Sequence, residues 1–455
     1  MIGDLMDKLK INSKEVTYGD TFIALRGNNN DGHKFIDEAI KNGATEIICE
    51  YGDYDVHTII VPNTKDYLNE YLNDNYKYLL DNLKIIGITG TNGKTTTAFI
   101  TSSILNKLNI NSAYIGTIGF YINGKLIKNL NNTTPDTLTL YKLIKEAKEN
   151  NCKFIVMEVS SHSLDMNRLA SIKLDIALFT NLTQDHLDYH KNMNNYLNSK
   201  LKIINYLKDD GILIVNNDSE YSKYFNFKNK KSIGKNLSTY QILDYVNSKD
   251  LIVFKYEDKK YEVKINLKSK FNVYNYISSL AILNSLGINI KDIINVSNLV
   301  EAPPGRMETF IYKNNYIIID YAHTPDAVIK IINASKETFN KKIITIIGCG
   351  GNRDKTKRPI MGDIATKLSD YVIFTSDNPR CEDPKSIIDD ITEHLENNNY
   401  KIIIDRKEAI LNTLKTLDNS CLLILGKGHE DYQIINNQKY HFSDKEIVLD
   451  YIKNN

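Results

Sequence analysis

Ile85-Ile-Gly-Ile-Thr-Gly90-Thr-Asn-Gly-Lys94-Thr-Thr-Thr97 is the stretch on which the reading of this chain turns. The apolar run Lys84–Thr89 predicts a buried strand, and the residues from Thr95 onward have the length and pattern of a helix. Gly90 and Gly93 allow a tight loop between the two. Such a turn aims backbone N–H groups and a helix N-terminus at one point, where phosphate oxygens would sit. Lys94 would bring a point charge to the outer phosphates, and Thr95 a hydroxyl for Mg²⁺. The loop is a variant of the general phosphate-binding pattern, because the place of its first glycine is taken by Ile88. A plain glycine turn with a surface lysine is the alternative. The strand before it, the two glycines and the helix after it argue against that.

The chain has 455 residues, enough for two to four domains of roughly 100–200 residues each. Its 57 basic and 56 acidic side chains leave a net charge of +1, so no basic excess points to nucleic acid. No apolar run approaches a membrane span, and the N-terminus lacks the pattern of a secretory leader. The five cysteines are scattered and form no C-x-x-C pair, which suits a reducing compartment. A cytoplasmic chain is the expectation.

Three regions separate: 1–80, 81–303 and 304–455. The first is short and mixed, with a strand expected at Thr21–Leu25, a helix at Lys34–Lys41 and a strand at Thr45–Cys49. The second alternates strands (Lys84–Thr89, Lys153–Glu158, Leu174–Thr180, Gly211–Asn216) with amphipathic helical stretches. Two later runs, Asp250–Tyr256 and Tyr261–Leu267, suggest an antiparallel addition. Pro303-Pro304-Gly305 reads as a linker. Beyond it lie five apolar runs: Tyr316–Asp320, Lys342–Ile347, Tyr371–Ser376, Lys401–Ile404 and Cys421–Gly426. The alternation predicts an α/β protein of three domains: a central phosphate-loop ATPase on a parallel sheet, and a C-terminal Rossmann-like, doubly wound domain. Ligands of such sheets bind beyond the carboxyl ends of the strands. Four charged turns follow C-terminal strands there, at Asp320–Asp326, Gly348–Asp354, Asp377–Arg380 and Gly426–Glu430.

The central region carries a second constellation. Glu158 ends a strand in Met157-Glu-Val-Ser-Ser-His162, where a carboxylate beside a phosphate loop would serve Mg²⁺. A helix N-terminal charge is the other reading. The next strand ends in Thr180-Asn-Leu-Thr-Gln-Asp-His-Leu-Asp-Tyr-His190. Its acids and histidines suit a metal or general-base site, and Asp185 could equally cap a helix.

These segments, with Phe271-Asn-Val-Tyr-Asn275, Pro304-Gly-Arg-Met-Glu308 and the four charged turns, occur in one order that resembles the ATP-dependent Mur ligases. The match runs from the N-terminal region to Phe442–Glu446. Within that family the chain is most similar to members that add the third amino acid of the peptidoglycan precursor. The resemblance implies an N-terminal domain for the uridine nucleotide, a central ATPase, and a C-terminal domain for the incoming amino acid. ATP would phosphorylate the free D-glutamyl carboxylate of UDP-N-acetylmuramoyl-L-alanyl-D-glutamate. The amine of the new residue would then attack the acyl phosphate. ATP, Mg²⁺ and these small molecules are the implied partners, and a monomer is expected.

Carried over by position, the resemblance gives Lys94, Glu158, His186 and Lys200 catalytic roles. Thr95, Glu158, His186 and a carbamylated Lys200 would hold metal; by sequence alone Lys200 is a surface helix lysine. Gly90, Thr91, Asn92, Gly93, Lys94, Thr95, Thr96, Asn272, Asn275, Arg306 and Asp320 would bind nucleotide, and His323 matches a position that serves nucleotide and domain closure. Ser13, Asn28, Asn29, Asn30, Asn132, Thr133, Thr134, Ser160 and Arg168 would meet the UDP-sugar peptide. Arg353, Asp377, Asn378, Pro379, Arg380, Gly426 and Glu430 would hold the amino acid. Members that add meso-diaminopimelate carry D-N-P-R as here, and L-lysine-adding members usually lack the arginine. A guanidinium offers the forked donors that the distal carboxylate accepts. The sequence departs from the family at Asn12, Lys14, Met166, Ser269 (commonly Gly) and Asn352 (commonly Asp). An L-lysine-adding enzyme, a folylpolyglutamate synthase, or a regulatory protein that only binds nucleotide are the rival readings.

Overall fold

The computed structural model describes residues 5–27 and 30–455, so Asn28 and Asn29 lie outside the described residues. Lys84–Thr89 is a strand, as its apolar run predicts, and from Ile85 onward it is buried. That burial is explained by its place at the middle of an eleven-stranded sheet, flanked by Phe154–Glu158 and Leu174–Phe179 in parallel. A parallel strand covered on both faces needs a continuous apolar run rather than alternation. The register pairs Ile88 with Glu158 and Thr89 with Phe179, so the three carboxyl ends finish side by side.

On one face pack the helices Lys94–Lys107 and Lys270–Ser285, through Ile100, Ile104, Val273, Ile277 and Leu280. The other face carries Thr137–Glu149 in a core shared with the N-terminal helix Thr64–Tyr76. The four-stranded parallel N-terminal sheet (Leu9–Lys10, Asp20–Ile23, Ala44–Cys49, His57–Ile60) is thereby cemented to the central one.

The antiparallel addition is present as Leu251–Tyr256 and Lys259–Lys264. Two strands missing from the sequence reading, Lys230–Gly234 and Tyr240–Val246, join it to Leu207–Asn216 in parallel. At the opposite end, Ser112–Gly116 pairs with Phe154–Glu158, and a meander through Gly119–Ile122 ends at Lys125–Lys128. The two outermost strands, Lys125–Lys128 and Lys259–Lys264, are largely exposed.

The C-terminal sheet runs Glu308–Tyr312, Asn315–Asp320, Ser420–Leu425, Lys342–Ile347, Tyr371–Phe374, Tyr400–Ile402. All neighbours are parallel except the first pair, an edge hairpin not foreseen from sequence. Pro325–Phe339, Lys357–Leu368 and Pro384–Thr392 cover one face, and Arg406–Thr416 with Asp444–Asn454 the other. Buried isoleucines such as Ile387, Ile388 and Ile391 each contribute about 1.5–3 kcal/mol to this packing.

Pro303–Gly305 is not a loose linker. A Cβ on Gly305, whose φ is +64°, would lie 2.1 Å from the His429 amide nitrogen. The junction therefore packs directly on the turn after Ser420–Leu425.

Candidate active site

Gly90 adopts φ +147°, and a Cβ there would lie 1.9 Å from Thr180 Oγ1. Gly93, at φ +87°, presses on Asn275, whose Oδ1 is 2.6 Å from where a Cβ would stand. Both glycines are thus required by close approach as well as by backbone angle. Asn181 shapes the loop by accepting from Thr91 N (2.8 Å, carbonyl) and Asn92 N (3.0 Å, side chain). The helix then starts at Lys94, leaving its first amides without intrahelical partners. Lys94 Nζ turns back to donate to Gly90 O and Thr91 O, both at 2.8 Å. Burial pushes this amine below its ordinary range despite nearby Glu158 and Asp185.

Glu158 is fully buried yet well satisfied. Its Oε1 accepts from Tyr114 OH (2.5 Å) and Thr117 N (2.8 Å). Its Oε2 accepts from Thr95 Oγ1 (2.8 Å) and Thr117 Oγ1 (3.1 Å). Thr117 Oγ1 also meets Thr133 Oγ1 at 3.1 Å, which ties the expected sugar-peptide segment to the phosphate loop. Thr134 Oγ1 donates to Glu158 O (2.8 Å) and accepts from Ser160 N (3.0 Å), while Arg168 Nη1 donates to Thr134 O (2.7 Å). Thr133, Thr134, Ser160 and Arg168 are therefore one cluster. Asn132 is exposed, as is Asn30, and Ser13 gives its hydroxyl to Glu38 at 2.6 Å.

Lys200 is not a surface lysine: it is 1 % exposed. Its amine donates to Gly90 O at 2.9 Å and lies 4.5 Å above the Tyr196 ring. Burial, then Lys94, hold it well below the usual lysine range. His186 sits in the left-handed region (φ +54°), its Nε2 3.4 Å from Asp185 Oδ2. Burial lowers its pKa to about 4, so the ring is neutral near pH 7 and free to act as a ligand. His186, not Asp185, occupies the N-cap of the short helix Leu187–His190.

Lys94, Thr95, Thr96, Glu158, Asp185, His186 and Lys200 line one cavity of about 550 Å³. Asn275 lines it as well; Asn272 stands behind, accepting from Asn275 Nδ2 at 3.0 Å. Ser269 precedes this helix at φ +82°, the glycine-favouring region, so a serine here carries strain of about 1–3 kcal/mol. The C-terminal domain closes the cavity with Arg306, Asp320, Tyr321 and His323. Arg306 lies 4.7 Å over the Tyr321 ring. Asp320 accepts from Met307 N (2.7 Å) and Ala322 N (2.8 Å), and burial raises its pKa. Across the domain gap, Asp326 Oδ2 accepts from Asn92 Nδ2 and Thr183 Oγ1, each at 3.3 Å.

Asp377, Asn378 and Pro379 are buried at the neighbouring strand ends. Arg380 does not pair with Glu382 or Asp383; its Nη1 donates to Gly351 O at 2.7 Å, and Glu382 is held by Arg358. Gly426 (φ +112°) leaves no room for a side chain, since a Cβ would be 2.5 Å from Asp377 Oδ2. Glu430 accepts from Asn378 Nδ2 at 2.9 Å. Arg353 is exposed, apart from these contacts. Sequence reading overlooked Tyr114 and Thr117, and it had Asp326 only as the end of a charged turn; strand pairing and domain packing bring the three to the site.

Thr95 and Glu158 present hard oxygens 2.8 Å apart on the cavity wall, the donor chemistry that Mg²⁺ prefers. A phosphate loop, a buried carboxylate and a doubly wound domain closing over them define an ATP-using enzyme of the ligase type. The family descriptions agree: "Mur ligase middle domain" matches residues 88–283, "Mur ligase, glutamate ligase domain" 305–428, and "Mur ligase family, catalytic domain" 6–83. The chain belongs to the Mur ligase family. It is 39% identical over 453 residues to the UDP-N-acetylmuramoyl-L-alanyl-D-glutamate–2,6-diaminopimelate ligase of Fusobacterium nucleatum, covering 97% of this chain and 93% of that one. Identity to the enzyme of the same name from Clostridium botulinum is also 39%, over 98% and 95% of the two chains. A solved structure of such a ligase superposes with TM-score 0.67 at 29% identity, covering 98% of this chain and 94% of its own. MurF ligase from Thermotoga maritima in complex with ADP shares the fold, with TM-score 0.68 at 22% identity and coverage of 94% and 96%.

Proposed function

We propose that this chain joins meso-diaminopimelate to UDP-N-acetylmuramoyl-L-alanyl-D-glutamate, driven by ATP, in peptidoglycan precursor synthesis. The regions 1–80, 81–303 and 304–455 would serve the uridine substrate, ATP and the amino acid in turn. The observation that carries this is the single cavity on which Lys94, Glu158, Lys200, Arg306 and Asp320 converge.

In this reading Lys94 releases the carbonyls of Gly90 and Thr91 and meets the outer phosphates of ATP. The phosphate-loop amides and Arg306 add positive potential where the phosphoryl group moves to the D-glutamyl carboxylate. Mg²⁺, held by Thr95 and Glu158 with His186 and a carbamylated Lys200 at a second position, would supply charge neutralisation between the crowded anions. Thr133, Thr134, Ser160 and Arg168 would orient the sugar peptide. The buried Asp377–Arg380 turn would seat the amino acid so that its amine attacks the acyl phosphate and phosphate departs. Arg380 would take the distal carboxylate, which L-lysine lacks, and Glu430 the distal ammonium. A cytoplasmic setting and a monomeric state belong to the same proposal.

Phosphate release with ATP, Mg²⁺ and UDP-N-acetylmuramoyl-L-alanyl-D-glutamate, with each amino acid supplied in turn, tests the proposal. Strong preference for meso-diaminopimelate is expected. Equal use of L-lysine would overturn the specificity and leave the ligase reaction; no amino-acid-dependent release would overturn both.

A further inference from the structure

Lys427 carries no role in the reading above, yet it is the most deeply placed charge beside the amino-acid turn. Its side chain is 0% exposed. An ammonium has three protons to satisfy, and three acceptors surround it: Asn378 Oδ1 at 3.3 Å, Glu430 Oε2 at 3.4 Å and the Tyr432 carbonyl. The rings of Tyr432 and Phe442 lie 5.6 and 5.9 Å away. A buried charge of this kind persists only when paired and hydrogen-bonded.

Its partners are the residues through which the pocket would read its substrate. Asn378 Oδ1 accepts from Ile434 N at 2.9 Å as well as from Lys427, so the Asn378 amide group is left to donate to Glu430 Oε2. Two buried neighbours, Asn378 and Lys427, thus hold Glu430 Oε2, and the Tyr432 side chain also hydrogen-bonds this carboxylate. The other oxygen, Oε1, is met by Tyr321 OH at 3.4 Å, a long contact. The hairpin Tyr432–Ile435 and Gln438–His441 completes the frame. Ile434 O accepts from Arg380 N (2.9 Å), Asn436 N donates to Arg380 O (2.7 Å), and Gln433 Nε2 donates to Asp377 O (2.6 Å). These bonds hold Arg380 at φ +55°, a conformation a non-glycine residue rarely keeps unaided.

We infer that Lys427 is a positioning residue for amino-acid selection: with Asn378 and the hairpin it fixes the Glu430 carboxylate through Oε2, so that the carboxylate is oriented to receive the distal ammonium of a diamino acid. The inference rests on the proposed ligase reading and concerns only how the third substrate is recognised.

Lys427→Met keeps the length and apolar stem and removes the charge. In the intact enzyme the expected result is a rise of about ten- to a hundredfold in KM for meso-diaminopimelate, the scale of lost hydrogen bonds to a charged group. The kcat at saturating amino acid and the KM values for ATP and the UDP-dipeptide stay within about threefold. Unchanged KM for the amino acid in a folded variant, or an equal rise in all three KM values, overturns the inference. Should Lys427→Met fail to fold, Gln433→Leu on the hairpin decides. It should raise KM for the amino acid by about three- to tenfold with the other two constants unmoved, and no change would overturn the proposal. Wild-type enzyme assayed in parallel separates the two readings. If it uses another amino acid, the specificity fails and the same KM comparison is made with that substrate. If it ligates none, the ligase reading and this inference fall together.

Discussion

Lys94 holds two carbonyl oxygens of its own loop, contacts that the outer phosphates of ATP would replace under the proposed function. Lys94→Ala removes a preorganised positive charge and should lower kcat at saturating ATP by at least ~100-fold. Near-normal turnover in that variant would dismiss the phosphate-loop role. Lys200 makes a second residue-scale test. Its lowered pKa leaves more of the amine unprotonated near neutral pH, the form that can add CO₂. Activity should therefore fall in CO₂-depleted buffer and recover with bicarbonate, while Lys200→Ala stays low in both. A ¹³C-bicarbonate spectrum of the protein without a carbamate resonance would count against the modification. Sequence pattern alone placed Lys200 on a surface; burial at 1 % could not be read because helix Met193–Leu201 is polar apart from a few positions.

At the scale of elements, the loop depends on the glycine at position 93. Gly93→Ala meets both a left-handed backbone angle and Asn275 Oδ1. The backbone term alone costs about 1–2 kcal/mol. Thermal unfolding should show that loss, and ATP-dependent turnover should fall further than stability does. Strands covered on both faces were legible: Lys84–Thr89 and Lys342–Ile347 coincide with their apolar runs to the residue. Ser112–Gly116 was missed although wholly buried, because Ser-Ala-Tyr-Ile-Gly is short and gives no period to detect. The hairpin Tyr432–His441 was missed because each strand has only four residues, the first half-buried for the most part and the second exposed and polar. The site follows the same logic. Motif residues that line the cavity were visible, whereas the bond of Tyr114 to Glu158 and that of Lys427 to Glu430 depend on topology.

For the whole molecule, Asp326 is the clearest test of domain closure. It receives Asn92 and Thr183 from the central domain, and its own helix supplies Lys330 at 2.6 Å. Asp326→Ala should weaken closure by about 0.5–1.5 kcal/mol per lost bond. Small-angle scattering of the ligand-free protein would then report a larger radius of gyration, and KM for ATP would rise. No change in either would place the closing force elsewhere. The eleven-stranded sheet raises a separate matter, because it stops at two open rims rather than closing on itself. Lys125 and Lys128 stand on one rim, and Lys259, Lys260 and Lys264 on the other. Unpaired amides on an edge invite a further strand from any neighbouring chain, and clustered lysines repel such an approach. These five ammonium groups thus oppose the addition of a strand from a second copy at either rim. Acetylating them should turn each rim into a seam along which copies aggregate, a change that light scattering would detect.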